Sequence, residues 1–332
     1  MHIALYHDAV IPPKKYGGTE RIVAWLARGL LLLGHQVTLI ARSGSQVPGT
    51  SLLIIPDSQP AAWDKVLPSH CDLVHLWGTP KKPPPIPYLV TIQGNGKPGE
   101  LFDRNTVFIS KKHAENHGSQ IYVYNGIDPD EYPCENSRND TLVFLAKASW
   151  KVKNLTGAVQ IARSTGLNLE VLGSRDLPWP LSVTKKLWFK GVRYRGMVDD
   201  GEKRAVLKNA RALLFPVRWH EPFGIAITEA LASGCPVFGT PYGSLPELVP
   251  QDVGCLSTQA SDLAHALLTR TFSPITCRAR VLNGLTHLDM ARGYERLYEK
   301  LLTDGFILPA TEAAPKTRFE KPSESLLPWT SL

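Results

Sequence analysis

Short apolar runs alternate with helical stretches along most of the chain, and this alternation is the feature that most restricts the fold. Over residues 1–127 the runs are HIALYH, QVTLIAR, DLVHLWG, YLVTIQG, TVFIS and IYVYNGI, while ERIVAWLARGLLLLG has the period of a helix. Strands that are buried on both faces are continuously apolar, and helical crossovers between them allow parallel pairing. The pattern therefore predicts a parallel sheet flanked by helices.

The alternation starts a second time after a polar, turn-rich segment, DPDEYPCENSRND, at residues 128–140. TLVFLAKA and LNLEVLGS follow as strands, NLTGAVQIARSTG as a helix, and EKRAVLKNARALLFPV as a helix that leads into a strand. We therefore predict an α/β fold with two Rossmann-like domains whose parallel sheets face each other across a cleft. The predicted domains are residues 1–135 and 136–304. A polar, proline-rich tail at 305–332 either packs back on the first domain or is disordered.

Composition excludes several classes of protein. The chain has 332 residues, of which 43% are apolar, so it can bury the cores of two domains. Its most apolar stretch, WLARGLLLLGHQVTLIA, is interrupted by Arg28 and His35, which argues against a transmembrane helix. The N-terminus, MHIALYHDAV, is typical of a strand and not of a signal peptide. The five cysteines are scattered and lack CxxC spacing, which favours reduced thiols in a cytoplasmic protein.

The net charge of +7 comes from dispersed basic residues. Because the chain has no helix-turn-helix, RNA-binding or zinc-finger motif, we expect no nucleic-acid partner. Attraction to an acidic substrate, or peripheral contact with an anionic membrane, is left open. Six lysines in predicted loops of the first half could meet a phosphorylated or membrane-anchored acceptor, although ordinary solvated loops are the simpler interpretation. These lysines are Lys14, Lys15, Lys81, Lys82, Lys111 and Lys112.

Two carboxylates lie in the stretch HEPFGIAITEALASGCPVFGT, which begins at His220. Glu221 precedes a predicted apolar helix, and Glu229 lies two turns inside it. Gly234 and Pro236 end this helix, and PVFG is typical of a short buried strand. A carboxylate in so apolar a helix is costly unless it is paired, so we expect a partner, and a ligand is the leading candidate.

Four segments, KYGGTERIV, VYNGID, EPFGIAITEALASGCPV and YGSLPELV, resemble motifs of the retaining glycosyltransferases of the GT-B fold, specifically the large GT4 group. The resemblance extends to about residue 304, and its most specific part runs from Glu221 to Glu229. It implies a hexosyltransferase that uses a nucleoside-diphosphate sugar, of UDP or GDP, and acts in polysaccharide or glycolipid biosynthesis. The acceptor would be a glycan or a lipid-linked molecule on the side of residues 1–135, and residues 136–304 would bind the nucleotide sugar. No cofactor and no metal are implied.

The resemblance also implies roles for residues of the second half. Glu221 would bind hydroxyls of the donor sugar. The two carboxylate oxygens of Glu229 would accept hydrogen bonds from the two ribose hydroxyls. Lys147 and Lys153 follow the strand TLVFLAKA, where the family usually has an arginine and a lysine, and would stabilise the diphosphate. Lys151 competes for the second of these positions. Backbone amides would hold the sugar and diphosphate, and they belong to Phe223, Gly224 and Ile225.

In the first half, Gly17 and Gly18 separate the first strand from the first helix, so their amides could approach phosphate, although Thr19 could instead simply cap the helix. Gln93 stands where family members often have histidine near the sugar and acceptor. His113 follows FIS on a predicted helix. It could contribute from the facing side, but a solvated surface histidine is the more ordinary interpretation.

Two other chemistries fit the sequence less well than glycosyl transfer. The DPD at residues 128–130 imitates a metal-binding DxD, but a turn and a helix start explain its aspartates more simply. KYGGTER lacks the GxGxxG pattern of a dinucleotide site. Because no carboxylate is an obvious nucleophile, the resemblance favours attack on the face that the leaving group vacates. The alternatives are a nucleotide-sugar-binding protein with little or no catalysis, suggested by Gln93 and Lys147, and an epimerase or hydrolase on the same fold.

Overall fold

A computed structural model describes residues 1–15, 17–55, 60–173 and 190–332, and Tyr16 of the KYGG motif lies outside these residues. The chain forms two compact units. The first unit comprises Met1–Pro13, Gly17–Asp128 and Gly284–Pro322, and the second comprises Lys14–Tyr16, Pro129–Asn283 and Ser323–Leu332. The chain thus leaves the first unit close to the predicted boundary at residue 135. It returns at residue 284, earlier than the predicted boundary at 304.

Each unit contains a six-stranded parallel sheet, which confirms the predicted α/β architecture. In the first unit the strands lie in the order β3-β2-β1-β4-β5-β6. Their bounds are β1 His2–Tyr6, β2 Gln36–Ala41, β3 Ser51–Ile54, β4 Leu73–Leu76, β5 Tyr88–Thr91 and β6 Thr106–Val107. In the second unit the order is β12-β11-β10-β7-β8-β9. The bounds are β7 Thr141–Leu145, β8 Asn168–Leu172, β9 Val192–Gly196, β10 Ala212–Phe215, β11 Val237–Gly239 and β12 Gly254–Leu256.

The described α-helices are numbered in chain order. The first unit contains α1 Gly18–Leu32, α2 Lys111–Asn116 and α9 His287–Asp304. The second unit contains α3 Leu155–Thr165, α4 Asp200–Leu207, α5 Ile225–Ala232, α6 Leu245–Leu248, α7 Ala260–Thr269 and α8 Pro274–Leu282. None of the described helices combines the length and apolarity needed to cross a bilayer.

The segment at residues 121–127, IYVYNGI, was predicted to be a strand, and this prediction is wrong. It forms only isolated bridges, Phe108 with Tyr122 and Ile127 with Thr286. Its backbone runs past the short strand β6, which has two residues and so offers little edge for pairing. The segment instead lies between the residue that follows β6 and the residue that precedes α9, and one bridge joins it to each.

A buried polar network fastens α9 to the sheet of the first unit. His75 on β4 is fully buried, and its ring nitrogens lie 2.7 Å from the Tyr298 hydroxyl and 2.7 Å from the Thr91 hydroxyl. Thr91 in turn lies 2.9 Å from the Tyr294 hydroxyl. Burial lowers the pKa of His75 to about 3, so the imidazole is neutral at pH 7 and serves as both donor and acceptor.

The C-terminal residues are divided between the units. In the first unit, Thr317 donates its backbone N–H to the Glu100 carbonyl at 2.8 Å, next to a bridge between Leu101 and Lys316. In the second unit, Trp329 packs against the hydrophobic core. These contacts place each part of the tail against the body of its unit.

Candidate active site

Three neighbouring parallel strands, β7, β10 and β11, place the segments that follow them at one edge of the second sheet. Two backbone hydrogen bonds join these segments. Arg218 donates to the Val152 carbonyl at 2.7 Å, and Ser244 donates to the Glu221 carbonyl at 2.9 Å. The carboxyl edge of a parallel sheet is the usual place for a ligand in such folds. The common direction of these strands thus brings together residues that are far apart in the chain.

Glu221 lies at the centre of this edge, and its side chain is buried. Its Oε2 accepts a hydrogen bond from the Lys153 ammonium at 2.6 Å and another from the Trp219 indole N–H at 2.6 Å. The Lys153 Nζ lies 4.5 Å from the centre of the Trp219 ring and 5.4 Å from that of Phe215. Lys153 is itself buried, at 9% exposure. The predicted carboxylate and cation therefore meet as a buried ion pair beside two aromatic rings.

The position of Lys153 is determined by the residue after it. Asn154 has a φ of 56°, in the left-handed region, and ends the 3₁₀ turn Lys151–Lys153. Its Oδ1 accepts from the Gly157 N–H at 3.1 Å, which caps α3, and its Nδ2 donates to the Pro216 carbonyl at 3.0 Å. One amide side chain thus links the loop that carries Lys153 to the loop that carries Glu221.

The other two lysines near this edge are exposed. The Lys147 ammonium lies 4.7 Å from the centre of the Trp150 ring, and that ring contacts Trp219 edge-on with centroids 6.0 Å apart. Lys151 begins the 3₁₀ turn and faces solvent. Of the predicted pair, the structure therefore brings Lys153 to Glu221 and places Lys147 over Trp150.

The loop between Glu221 and α5 is held by the turn at residues 242–244, part of the YGSLPELV motif. Gly243 has a φ of +63°, and a Cβ there would lie 2.2 Å from the Glu221 carbonyl oxygen. The Ser244 hydroxyl donates to the Phe223 carbonyl at 2.7 Å. Gly224, with a φ of +86°, is the N-cap of α5, which begins at Ile225. The left-handed backbone at the start of the helix favours glycine at position 224.

Glu229 has partners within the chain. Its Oε1 accepts a hydrogen bond from the Lys203 ammonium at 2.5 Å and one from the Tyr132 hydroxyl at 2.9 Å. Lys203 also pairs with Asp200 at 2.9 Å. Burial, reinforced by the charge of Glu229, raises the pKa of Tyr132 well above its usual value, so the phenol stays protonated and donates. The partner that the apolar helix requires is therefore a lysine on α4.

Sequence alone does not identify Lys203 and Tyr132 as residues of this site, because no local pattern connects them to Glu229. The only hint is that α4 carries a lysine in its first turn among buried positions. A capping box formed by Asp199 and Glu202 starts this helix, and that motif can be recognised in sequence. Which side chain Lys203 meets depends on how α4 packs.

In the first unit, Gly17 has a φ of +148° and is the N-cap of α1, while Gly18 is the first helical residue. Thr19 lies inside the helix, so the alternative in which Thr19 caps it is wrong. The Gly17 carbonyl accepts a hydrogen bond from the buried Arg21 guanidinium at 2.8 Å. This bond fixes the turn between β1 and α1.

Gln93 and Asn125 form a reciprocal amide pair in the first unit. The Gln93 Nε2 donates to the Asn125 Oδ1 at 3.1 Å, and the Asn125 Nδ2 donates to the Gln93 Oε1 at 2.8 Å. Asn125, from the VYNGID motif, is buried, whereas Gln93 is half-buried. The pair fixes the orientation of the Gln93 side chain, and each amide keeps one N–H and one lone pair for further bonds.

His113 lies on α2, as predicted, but it is buried and not a surface residue. Its Nε2 lies 3.0 Å from the Gly94 carbonyl, and its Nδ1 accepts from the Ile109 N–H at 3.4 Å. Burial lowers the pKa of His113 to about 3. Both ring nitrogens are engaged by backbone, so the expectation of a solvated histidine is corrected to that of a packed one.

The aspartates of the DPD segment contact basic side chains. Asp128 lies 3.6 Å from the Arg28 guanidinium and 4.0 Å from His287, and Asp130 lies 3.8 Å from Arg278. Among the described residues, no group of three or more His, Cys, Asp or Glu side chains is placed to hold a metal ion.

The second unit contains a segment that matches a known protein family. Residues 139–270 match the family described as glycosyl transferases group 1. A phosphatidyl-myo-inositol mannosyltransferase of Propionibacterium freudenreichii is 27% identical over 146 residues, which span 40% of this chain and 36% of that protein. A glycogen synthase of Mycobacterium tuberculosis is 27% identical over 171 residues, which span 48% of this chain and 41% of that protein. The matched segments are thus well under half the length of these relatives.

Among solved structures, the glycosyltransferase AviGT4, involved in avilamycin A biosynthesis, superposes with a TM-score of 0.76 at 26% identity. The superposition covers 91% of this chain and 98% of AviGT4. Two parallel six-stranded sheets with flanking helices are the architecture shared with such neighbours. The chain therefore has the GT-B fold, and residues 139–270 of its second unit match the family described as glycosyl transferases group 1.

Proposed function

We propose that this protein is a retaining glycosyltransferase of the GT4 type that moves a sugar from a nucleoside-diphosphate sugar to a glycan or glycolipid acceptor. One observation carries the proposal: the ion pair of Lys153 with Glu221, held at the carboxyl edge of the second sheet. A hydrogen-bond acceptor for hydroxyls and a cation for phosphate lie 2.6 Å apart. This arrangement suits a sugar that carries a phosphate on its anomeric carbon.

In this proposal Glu221 accepts hydrogen bonds from hydroxyls of the donor sugar, and Lys153 contacts the diphosphate. The lysine has three N–H groups, so it can keep one bond to Glu221 and offer the others to phosphate oxygens. Burial beside Trp219 and Phe215 lowers the local dielectric response, which strengthens the attraction between the ammonium and developing negative charge. Lys147 adds a second cation, and the amides of Phe223, Gly224 and Ile225 add donors at the start of α5.

The proposed reaction proceeds on one face of the sugar. The acceptor hydroxyl oxygen attacks the anomeric carbon from the side that the diphosphate leaves, and the bond between that carbon and the diphosphate oxygen breaks. The electron pair stays on the leaving oxygen, which takes the proton of the acceptor hydroxyl. Lys153 and the α5 amides stabilise the charge on the leaving group, so the protein contributes position and electrostatics without a metal.

Glu229 would bind the ribose of the nucleotide in this proposal. Both of its observed hydrogen bonds fall on Oε1, so Lys203 and Tyr132 hold the carboxylate in one orientation. A preoriented carboxylate loses less entropy when it binds two vicinal hydroxyls. Lys203 and Tyr132 therefore act through Glu229.

The substitution Glu221→Gln tests the proposal. We expect transfer to fall on the order of 100-fold, the usual cost of losing one charged contact to the transition state, while the affinity for the free nucleoside diphosphate changes little. A thermal-shift panel of UDP, GDP and ADP identifies the nucleotide, and transfer is then assayed with its sugar forms. The matched control is Glu135→Gln, because Glu135 forms a half-exposed surface pair with Lys208. Equal loss of transfer and of nucleotide binding in Glu221→Gln would contradict the assigned role.

A nucleotide-sugar-binding protein without catalysis is the second candidate. It is favoured by the pairing of Gln93 with Asn125, since neither amide can carry a titrating proton. A thermal shift with a nucleotide sugar, combined with no turnover in the presence of any acceptor or water, would support this candidate. Turnover of the sugar form, at a rate that Glu221→Gln reduces, would exclude it.

A further inference from the structure

The first unit contains a groove of about 470 Å³ between residues 122–124 and the start of α9. This volume lies within the range of small-molecule sites, about 300–1,000 Å³. Close packing shapes the groove, because a Cβ on Gly293 would lie 2.8 Å from the Val123 side chain. Met290, which is buried, accepts a weak hydrogen bond from the Gly126 N–H at 3.2 Å. The groove is therefore built by the close approach of helix and loop.

Two arginines give the groove its charge. Arg292 and Arg296 are both exposed, and their spacing places them on one face of α9 on successive turns. Within the described part of the chain, neither guanidinium forms an ion pair or a hydrogen bond. The groove is lined by one carboxylate, Asp289, and its Oδ2 already accepts from the backbone N–H and the hydroxyl of Thr286. The two guanidinium groups are thus available to bind an anion.

Two tyrosines line the same groove. The rings of Tyr122 and Tyr124 contact each other edge-on, with centroids 5.3 Å apart, and Tyr122 is 36% exposed. An aromatic face packs against the apolar C–H side of a sugar ring, while the phenol hydroxyls can bond its polar rim. Guanidinium groups match the two oxygens of a carboxylate or phosphate. The two kinds of side chain together suit a ring that bears an anionic substituent.

We propose that this groove binds an anionic saccharide, a sugar ring that carries a carboxylate or a phosphate. Arg292 and Arg296 would hold the anionic group, and Tyr122 would pack against the ring. All of these residues belong to the first unit, whereas Lys153 and Glu221 belong to the second. The proposal does not depend on the proposed transfer reaction, because binding can be measured without turnover.

Isothermal titration of the full chain tests this inference with three probes: a hexamer of galacturonic acid, mannose 6-phosphate and the neutral maltohexaose. We expect at least one anionic probe to bind, with an affinity that falls as salt rises, and maltohexaose to bind at least about tenfold more weakly. The double variant Arg292→Gln/Arg296→Gln should weaken anionic binding by about tenfold or more. Tyr122→Ala should weaken it as well.

The matched control is Arg193→Gln, which removes an exposed arginine from β9 of the second unit and should leave binding unchanged. Thermal unfolding of each variant checks that the first unit is intact. Titration with inorganic phosphate separates the anion from the sugar, and phosphate that binds as tightly as the saccharides would overturn the role of the tyrosines. Binding that survives the double arginine variant, or no binding of either anionic probe at millimolar concentration, would overturn the proposal.

Discussion

Replacement of Lys203 by methionine should destabilise the second unit far more than loss of an ordinary lysine would. Lys203 is only 5% exposed, and its ammonium pairs with Glu229 at 2.5 Å and with Asp200 at 2.9 Å. Methionine has a similar volume but no charge, so the substitution leaves Glu229, at 4% exposure, without its counter-charge. The Tyr132 hydroxyl then remains as its hydrogen-bond donor.

The magnitude follows from this geometry. Breaking a buried ion pair by removing one partner costs about 3–5 kcal/mol. We expect the lower end, about 3 kcal/mol, because Tyr132 still donates to Glu229 and Asp200 is partly exposed, at 31%. For a domain of this size, that cost lowers the unfolding temperature by about 6–12 °C. Scanning calorimetry measures it, with the transition of each unit analysed separately because a chain with two units need not unfold in one step.

Two further variants make the prediction specific. Lys208→Met removes a half-exposed lysine that follows α4 and pairs with Glu135 at 2.9 Å, so it should cost less than about 1 kcal/mol. The double variant Lys203→Met/Glu229→Gln removes both charges of the buried pair and should recover part of the loss. If Lys203→Met costs no more than Lys208→Met, or if the double variant is as unstable as the sum of its single changes, the ion pair is not what stabilises Glu229.

Two other predictions concern backbone and pH. Gly243→Ala should displace the Glu221 backbone and so reduce the thermal stabilisation that a bound nucleotide gives. The control is Gly166→Ala, because Gly166 is also left-handed, at φ +70°, but has open space around it, so this change should cost only about 1 kcal/mol of stability. Equal effects of the two changes on nucleotide binding would refute the role of Gly243 in holding Glu221. His75, with its pKa lowered to about 3 by burial, binds its proton more readily when unfolded, so stability falls as the pH drops below 6.5. Between pH 7 and pH 5 the free energy of unfolding of the first unit should fall by about 2 kcal/mol, which the midpoints of urea unfolding measure. His75→Gln should remove this part of the pH dependence of stability. If the stability of the variant depends on pH as steeply as that of the natural chain, the prediction is wrong.

Much of the fold was accessible from local patterning. Continuous apolar runs such as those of β1, β7 and β10 mark strands buried on both faces, and helical stretches between them require parallel connections. Segment 121–127 is as apolar as a strand, and apolarity alone does not distinguish a paired strand from a buried connection. The helix α2 was predicted correctly, but the burial of His113 depends on packing that no period in so short a helix reveals.

The candidate site, like the fold, could be predicted from the sequence only in part. The positions of Glu221 and Lys153 after two strands indicated a common edge, because parallel strands in one sheet end on the same side. Their direct contact, the indole bond from Trp219 and the role of Asn154 as a link between loops depend on side-chain directions that sequence spacing does not specify.

Local sequence was sufficient for the α/β architecture and for the requirement that Glu229 have a partner, since both follow from the cost of burying polar groups in apolar elements. Long-range packing decided that this partner is Lys203, that Gln93 pairs with Asn125, and that residues 284–322 return to the first unit. Each of these contacts joins residues far apart in the chain. Their distance in space is set by how whole helices and sheets pack, and it is therefore not readable from any short stretch of residues.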